Sequence, residues 1–252
     1  MNNKRLFVIS CYFDGSNEAI FNCTNSILKL YENPNIVIVD SDSPDKTYFN
    51  KIRSNNVEIL DVKNKNYDTG AYWIAFNKFN DFDNYYFLQD STIIKENLSS
   101  FESNDLTTFR YFLSIDDIGG FIYEKPSLKN FKLISKLFSK RIKKYPIYGF
   151  DSQKQSEWAK EQLEKTSYFF PKSWVSVFGP MFICKKIVMD KLKNKNFDKI
   201  LPINKLEQMG MERLFGIAFQ QEGLNSCNAV QGENYNTDFE TENFEKIFFK
   251  RK

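Results

Sequence analysis

The sequence predicts an α/β domain with a mostly parallel central sheet and helices on both faces. Strand-length runs of apolar residues recur along the first hundred residues, beginning with Leu6 to Ser10. Between them, apolar residues return at helical spacing. Each run then ends in a polar segment that carries an acid. An unbroken apolar run bounded by turn residues reads as a strand buried on both faces, the environment that crossover helices create around a parallel sheet. Strand and helix in alternation are the signature of βαβ units.

Leu6 to Ser10 is the first strand, ending in Tyr12, Phe13, Asp14 and Gly15. Ile20, Cys23, Ile27 and Leu30 follow at helical spacing until Asn33 and Pro34 stop the pattern. Ile36 to Val39 is the second strand, running into Asp40, Ser41, Asp42, Ser43 and Pro44. Ser43 followed by Pro44 predicts an N-cap and a first-turn proline, opening a helix that carries Phe49 and Ile52. Val57 to Val62 is the third strand, and Tyr72, Ala75, Phe76 and Phe79 share a face of the next helix. Tyr85 to Leu88 is the fourth strand, ending at Gln89, Asp90, Ser91 and Thr92.

The second half is less regular. Leu128 to Ile142 reads as a helix whose Lys and Arg residues form a solvated face. Trp174 to Cys184 reads as a strand pair or a bent strand interrupted by Gly179 and Pro180. Short helices are expected over Ile187 to Lys193 and Met211 to Glu222, the latter ended by Gly223. The tail from Gly232 is expected to be a docked helix or a weak interfacial segment.

Composition narrows the chemistry. The 252 residues are 42% hydrophobic, enough for one sizeable domain, and no repeat or long linker divides them. Histidine is absent, which removes the usual general base, the usual zinc ligand and every triad that depends on imidazole. Carboxylates, hydroxyls, amides and lysines must do any chemistry. A net charge of +3 gives no bulk electrostatic case for nucleic acid. Cys11, Cys23, Cys184 and Cys227 form no Cys-x-x-Cys pair and read as reduced, buried thiols. Neither a signal-peptide h-region nor an apolar stretch long enough to span a bilayer is visible, so a soluble, cytoplasmic protein is expected, with peripheral membrane contact left open.

In an open parallel sheet, ligands bind beyond the carboxyl ends of the strands. Those ends carry the candidate site residues. Asp40 and Asp42 follow the second strand, where a carboxylate can accept from a nucleobase or ribose and can equally cap a helix. Asp68 stands just before a helix, with Gly70 after it, so the backbone can approach a ligand at a helix N-terminus; capping explains Asp68 as well. Asp90, between Gln89 and Ser91, can hold a divalent ion together with a ligand's phosphates or accept directly from sugar hydroxyls. Glu212, in Gly210-Met211-Glu212-Arg213, is a candidate general base, with a first-turn helix acid or an ion pair to Arg213 as its alternatives.

Together these segments resemble the GT-A fold of nucleotide-sugar glycosyltransferases, in the branch around rhamnan synthesis protein F and related polysaccharide glycosyltransferases. Asn64-Lys65-Asn66-Tyr67-Asp68-Thr69-Gly70-Ala71-Tyr72 matches that branch's Asn-x-x-x-Asp-x-Gly-Ala-aromatic segment, and Gln89-Asp90-Ser91 its strand-terminal Asn-Asp-Ser. Ser167-Tyr168-Phe169 and Glu212 are comparable with later segments. The chain departs in carrying Gln89 for Asn, one acid in place of an Asp-x-Asp metal motif, and no C-terminal histidine. Both a divalent cation, Mn or Mg, and metal-independent chemistry therefore stay open.

The resemblance implies a single domain with a nucleotide-sugar half over residues 1–99, an acceptor half over 100–232 and a tail over 233–252. It implies transfer of a hexosyl or deoxyhexosyl group from a nucleoside diphosphate sugar to a hydroxyl of a glycan or other acceptor. Tyr12, Asp40 and Asp68 would then hold the nucleoside, Asp90 the donor sugar or a metal on its diphosphate, and Glu212 would deprotonate the acceptor, inverting the anomeric centre. Asp42, Gly70, Gln89 and Ser91 complete the expected binding set. Two other readings compete. A sugar-nucleotide nucleotidyltransferase would be expected to place a Gly-rich, basic loop where Cys11 to Gly15 stands. A non-catalytic carbohydrate-binding protein would turn over no sugar nucleotide.

Overall fold

The computed structural model describes residues 4–52, 55–109, 111–115, 120–122, 149–171, 173–177, 179–228, 239–240 and 244–246. The first half runs β1 (Arg5–Cys11), α1 (Ala19–Leu30), β2 (Asn35–Asp40), α2 (Tyr48–Lys51), β3 (Val57–Leu60), α3 (Tyr67–Lys78), β4 (Asn84–Gln89) and β5 (Thr92–Ile94). The second contributes β6 (Leu106–Thr108), β7 (Tyr111–Ile115), β8 (Gly120–Ile122), α4 (Gly149–Leu163), β9 (Ser173–Val177), β10 (Phe182–Lys185), α5 (Lys186–Asn194), α6 (Lys205–Gln221) and β11 (Ser226–Asn228). Two short strands, β12 (Phe239–Glu240) and β13 (Phe244–Lys246), lie in the tail.

The central sheet has seven strands in the order β11-β6-β10-β4-β1-β2-β3. β4, β1, β2 and β3 are mutually parallel. β10 runs antiparallel to both β4 and β6, while β11 is parallel to β6, so β10 alone in this sheet opposes the common direction. The fold is α/β, with a mostly parallel sheet between helical layers.

The unbroken apolar strands follow from covering both faces of the sheet. Leu6, Val8, Val37, Val39, Tyr85 and Phe87 pack on one face with Tyr72, Ala75 and Phe76 of α3 and Leu214 and Phe215 of α6. The alternate residues Phe7, Ile9, Cys11, Ile36, Ile38, Tyr86 and Leu88 pack on the other face with Ile20, Cys23 and Ile27 of α1. The α1 pattern ends where expected, with Asn33 at φ +48° leading to Pro34 and β2.

Four local expectations need correction. The helix expected at Pro44 begins at Tyr48, because the Ser43 hydroxyl is taken by the Phe13 N–H at 2.8 Å and is not available as an N-cap. Asp45 organises this entry instead, accepting from the Thr47 N–H at 2.7 Å. Trp174 to Cys184 does form two strands about Gly179 and Pro180, but β9 pairs with β7 while β10 enters the central sheet, so the two lie in different sheets. Glu212 does not open its helix. α6 starts at Lys205 behind Asn204, whose side chain accepts from the Glu207 N–H at 3.0 Å while the Glu207 carboxylate accepts from the Ile203 N–H. In the tail, the described residues form strands, β13 pairing with β5, in place of a helix. The expected helix over 128–142 lies outside the described residues.

Among the described residues, Cys11, Cys23 and Cys184 are buried and form no disulfide. Burial pushes the Cys11 and Cys184 thiols well above their ordinary value. No helix among the described residues is long and apolar enough to cross a membrane.

Candidate active site

The chain passes from β1 to β2 and β3 on one side of β1 and then returns to β4 on the other side. Such a reversal opens a crevice at the carboxyl ends of the two central strands. Here the ends of β1 and β4 are tied together. The Asp90 N–H donates to the Ser10 carbonyl at 3.0 Å, and the Tyr12 N–H donates to Asp90 Oδ2 at 3.1 Å. Asp90 and Ser91 form the partly buried turn between β4 and β5, and the Tyr12 side chain is 41% exposed beside them.

Asp68 reaches the same crevice from the first turn of α3. Its Oδ2 accepts from Gln89 Nε2 at 2.5 Å and from Gln208 Nε2 of α6 at 3.3 Å. The Gln208 Oε1 in turn accepts from the Thr69 hydroxyl at 3.1 Å. Glu212 lies one turn beyond Gln208 on the same face of α6, and its Oε1 accepts from the Gly179 N–H at 3.2 Å. Gly179 has φ +58°, and a Cβ there would stand 3.2 Å from Gln89 Oε1, so this glycine meets both a left-handed backbone and a close approach. Asp68, Gln89 and Gln208 are thus joined by hydrogen bonds, Gly179 stands against Gln89 while it holds Glu212, and Asp90 follows Gln89 at the end of β4.

Burial pushes the Glu212 carboxyl up to about 7, and the Asp68 charge pushes the same way. Arg213, the Gly179 N–H and Lys205 oppose this shift without cancelling it. Arg213 is itself buried and donates to the Met209 carbonyl at 2.9 Å, and burial lowers its guanidinium to about 10. A carboxyl held near neutrality beside a crevice can exchange a proton with a hydroxyl substrate.

The remaining expected residues play other parts in the geometry. Asp40 is fully buried and faces inward. Its Oδ1 accepts from Lys46 Nζ and the Ser43 N–H, and its Oδ2 from the Tyr48 hydroxyl at 2.8 Å. Burial alone would raise this carboxyl, but Lys46, Ser43 and Tyr48 together hold it below the ordinary range. Asp42 is exposed in the following turn at φ +58°. The space beside Gly70 is filled by the chain itself, since a Cβ would stand 2.4 Å from Asn64 Oδ1 and 2.6 Å from Asn66 Cβ. Asn64 is buried and links the ends of β2 and β3 to α3, donating to Ser41 Oγ at 3.0 Å and to the Tyr67 carbonyl at 2.7 Å. Lys63 in this loop and Tyr67 at the start of α3 both have positive φ, at 50° and 54°.

Sequence reasoning missed Gln208 and the Gly179 N–H. Gln208 had a legible signal, its spacing of one helical turn from Glu212. Gly179 reads from the sequence only as a strand interruption, because its partner lies 33 residues further along the chain.

Among the described residues, no group of three or more His, Cys, Asp or Glu is arranged to hold a metal ion. With a lone carboxylate at Asp90, a hard divalent ion bound in this crevice would have to be carried mainly by a ligand's phosphates.

No protein-family model matches the chain, and no curated protein matches it. Solved structures do. GalNAc-T7 with UDP, GalNAc and Mn²⁺ aligns over 88% of this chain and 41% of its own, with a TM-score of 0.53 and 11% identity. Staphylococcus aureus TarS 1–349 in complex with UDP-GlcNAc aligns over 93% of this chain and 61% of its own, at TM-score 0.44 and 14% identity. Core-mannan synthase A from Aspergillus fumigatus, in an Mn/GDP form, aligns over 87% and 70%, at TM-score 0.43 and 9% identity. The chain spans less than two thirds of the length of GalNAc-T7 and of TarS. At these identities the likeness concerns the fold, and with GalNAc-T7 it covers most of the present chain: the protein has the GT-A-like α/β fold of glycosyltransferases.

Proposed function

We propose that this protein is a glycosyltransferase that moves a sugar from a nucleoside diphosphate donor to a hydroxyl acceptor with inversion at the anomeric carbon. The observation that carries the reading is the placement of Asp68, Asp90 and a proton-poised Glu212 around the β1/β4 crevice of this fold. GalNAc-T7, which has the same fold, was solved with UDP, GalNAc and Mn²⁺.

In this reading Tyr12, exposed at the end of β1, offers a face for the nucleoside, and Asp68 with Gln89 accepts from and donates to sugar hydroxyls. Asp90, fixed by the Tyr12 N–H, would address the donor where its diphosphate joins the sugar. Asp90 and the donor's phosphates would hold a divalent ion, which when bound neutralises charge on the leaving diphosphate. Glu212 takes the proton of the acceptor hydroxyl as that oxygen bonds to the anomeric carbon. The bond from that carbon to the phosphate oxygen breaks on the opposite side, and the nucleoside diphosphate leaves with the electron pair. A hydroxyl of a growing glycan is the acceptor we favour, in the cytoplasm.

Proton NMR of a transfer reaction tests this mechanism. The anomeric coupling of the product is expected to report the configuration opposite to the donor's. A product that keeps the donor's configuration overturns direct attack with Glu212 as base.

A further inference from the structure

We propose that Gln208 is a positioning residue that fixes the Asp68 carboxylate for the donor sugar and ties it to Glu212. The proposal rests on the glycosyl-transfer reading above and names a residue that reading does not use. Gln208 is 3% exposed, and both ends of its amide are engaged.

Its orientation is determined chemically. An ionised carboxylate only accepts, so the amide nitrogen must face Asp68, which leaves Oε1 to accept from Thr69 Oγ1. Gln89 Nε2 converges on the same oxygen from β4. Two amides from elements distant in sequence thus orient one carboxylate, with Oδ1 as its other acceptor. Neutral amides do this without adding charge, so Asp68 keeps its attraction for hydroxyl donors. A lysine or arginine in either place would neutralise it.

Gln208 and Glu212 occupy one face of α6 a single turn apart, and the charge of Asp68 acts on Glu212. The Thr69–Gln208–Asp68 bonds therefore set the separation between the group that addresses the donor and the group that deprotonates the acceptor. A displacement of about 1 Å between reacting groups is enough to cost on the order of a hundredfold in rate.

The test uses the full-length chain with Gln208→Met, Gln208→Glu, Asp68→Asn and the Gln208→Met/Asp68→Asn double variant. Gln208→Met keeps the volume and loses both bonds; Gln208→Glu keeps the acceptor for Thr69 but turns a carboxylate toward Asp68. Both are expected to lose about tenfold or more in kcat/KM. In Gln208→Met the pH midpoint of kcat/KM moves down, as Asp68 is freed to move away from Glu212. On the Asp68→Asn background Gln208→Met adds less than twofold, because the two residues act through one another. A residue that only packs would give additive losses and an unmoved midpoint, and either result overturns the proposal. The proposal also falls alone if both Gln208 single variants keep kcat/KM within twofold of an active wild type. A wild type whose melting temperature no nucleotide sugar moves overturns the glycosyl-transfer reading and this proposal with it.

Discussion

The Gly179 main-chain N–H donates to Glu212 Oε1 at 3.2 Å, from a residue held at φ +58° against the Gln89 side chain. One backbone conformation therefore sets two contacts of the crevice. Gly179→Ala places a Cβ in a left-handed backbone and against Gln89. We expect it to lower stability by about 1–2 kcal/mol in urea unfolding and to reduce kcat by more than tenfold. An unchanged kcat would show that the N–H contact to Glu212 has no part in the reaction.

Glu212 gives the activity its pH dependence. With its carboxyl near about 7, kcat/KM should rise through neutral pH as the base form appears and level off above it. Glu212→Gln should abolish that rise and reduce kcat by about 100-fold or more.

The same group has the opposite effect on stability. Its folded value of about 7 lies above the ordinary 4.5, so between those values the folded chain binds more protons than the unfolded one. Stability from this group is full at acid pH, falls as the pH rises across that window, and is constant above it. Glu212→Gln should therefore be more stable than wild type at pH 8, by about 3 kcal/mol. Differential scanning calorimetry at pH 5 and pH 8 measures this, with the difference expected at the higher pH.

Asp40 should behave as a structural carboxylate. Asp40→Asn removes the charge that Lys46, Ser43 and Tyr48 surround at a fully buried position, at a cost of about 3 kcal/mol in urea unfolding. The Asp40 carboxyl is held below its ordinary 3.8, so its contribution is present at neutral pH and lost as the pH falls through the folded value. The gap between wild type and variant should accordingly close in acid. A variant as stable as wild type at pH 7 would show that this cluster does not hold the β2 end.

Local pattern and tertiary pairing contributed differently to what could be read in advance. β1, α1, β2, α3 and β4 were legible because burial on two faces forces apolar runs and helical stripes, which are local properties of the chain. The positions of Asp68 and Asp90 near the ends of β1 and β4 followed from that, since strand ends gather in space once the sheet is parallel. Asp40 had an equally suggestive position, but Lys46 and Tyr48, a few residues on, turn it inward. The pairing of Gln208 with Asp68 spans 140 residues, and the antiparallel entry of β10 also depends on partners far away in the sequence. No local pattern announces such contacts. The Ser43 hydroxyl shows the same limit at short range, where a tertiary partner, Phe13, took a group that local chemistry assigns to a helix cap.

Asp90→Asn leaves the Tyr12 N–H an acceptor while removing the charge. Transfer should fall by about 100-fold or more with the melting temperature within a few degrees of wild type. A variant that transfers at the wild-type rate would remove Asp90 from the donor site.

The most direct test of nucleotide-sugar binding is the melting temperature of the full chain across UDP-, GDP- and dTDP-sugars and their nucleotides, with and without Mn²⁺. A ligand at about 100 times its Kd adds roughly 2.7 kcal/mol to the folded state. We expect at least one nucleotide sugar to raise the melting temperature by several degrees, and Asp68→Asn to lose most of that rise. Melting curves unmoved by every nucleotide and nucleotide sugar would contradict the donor site and the function built on it.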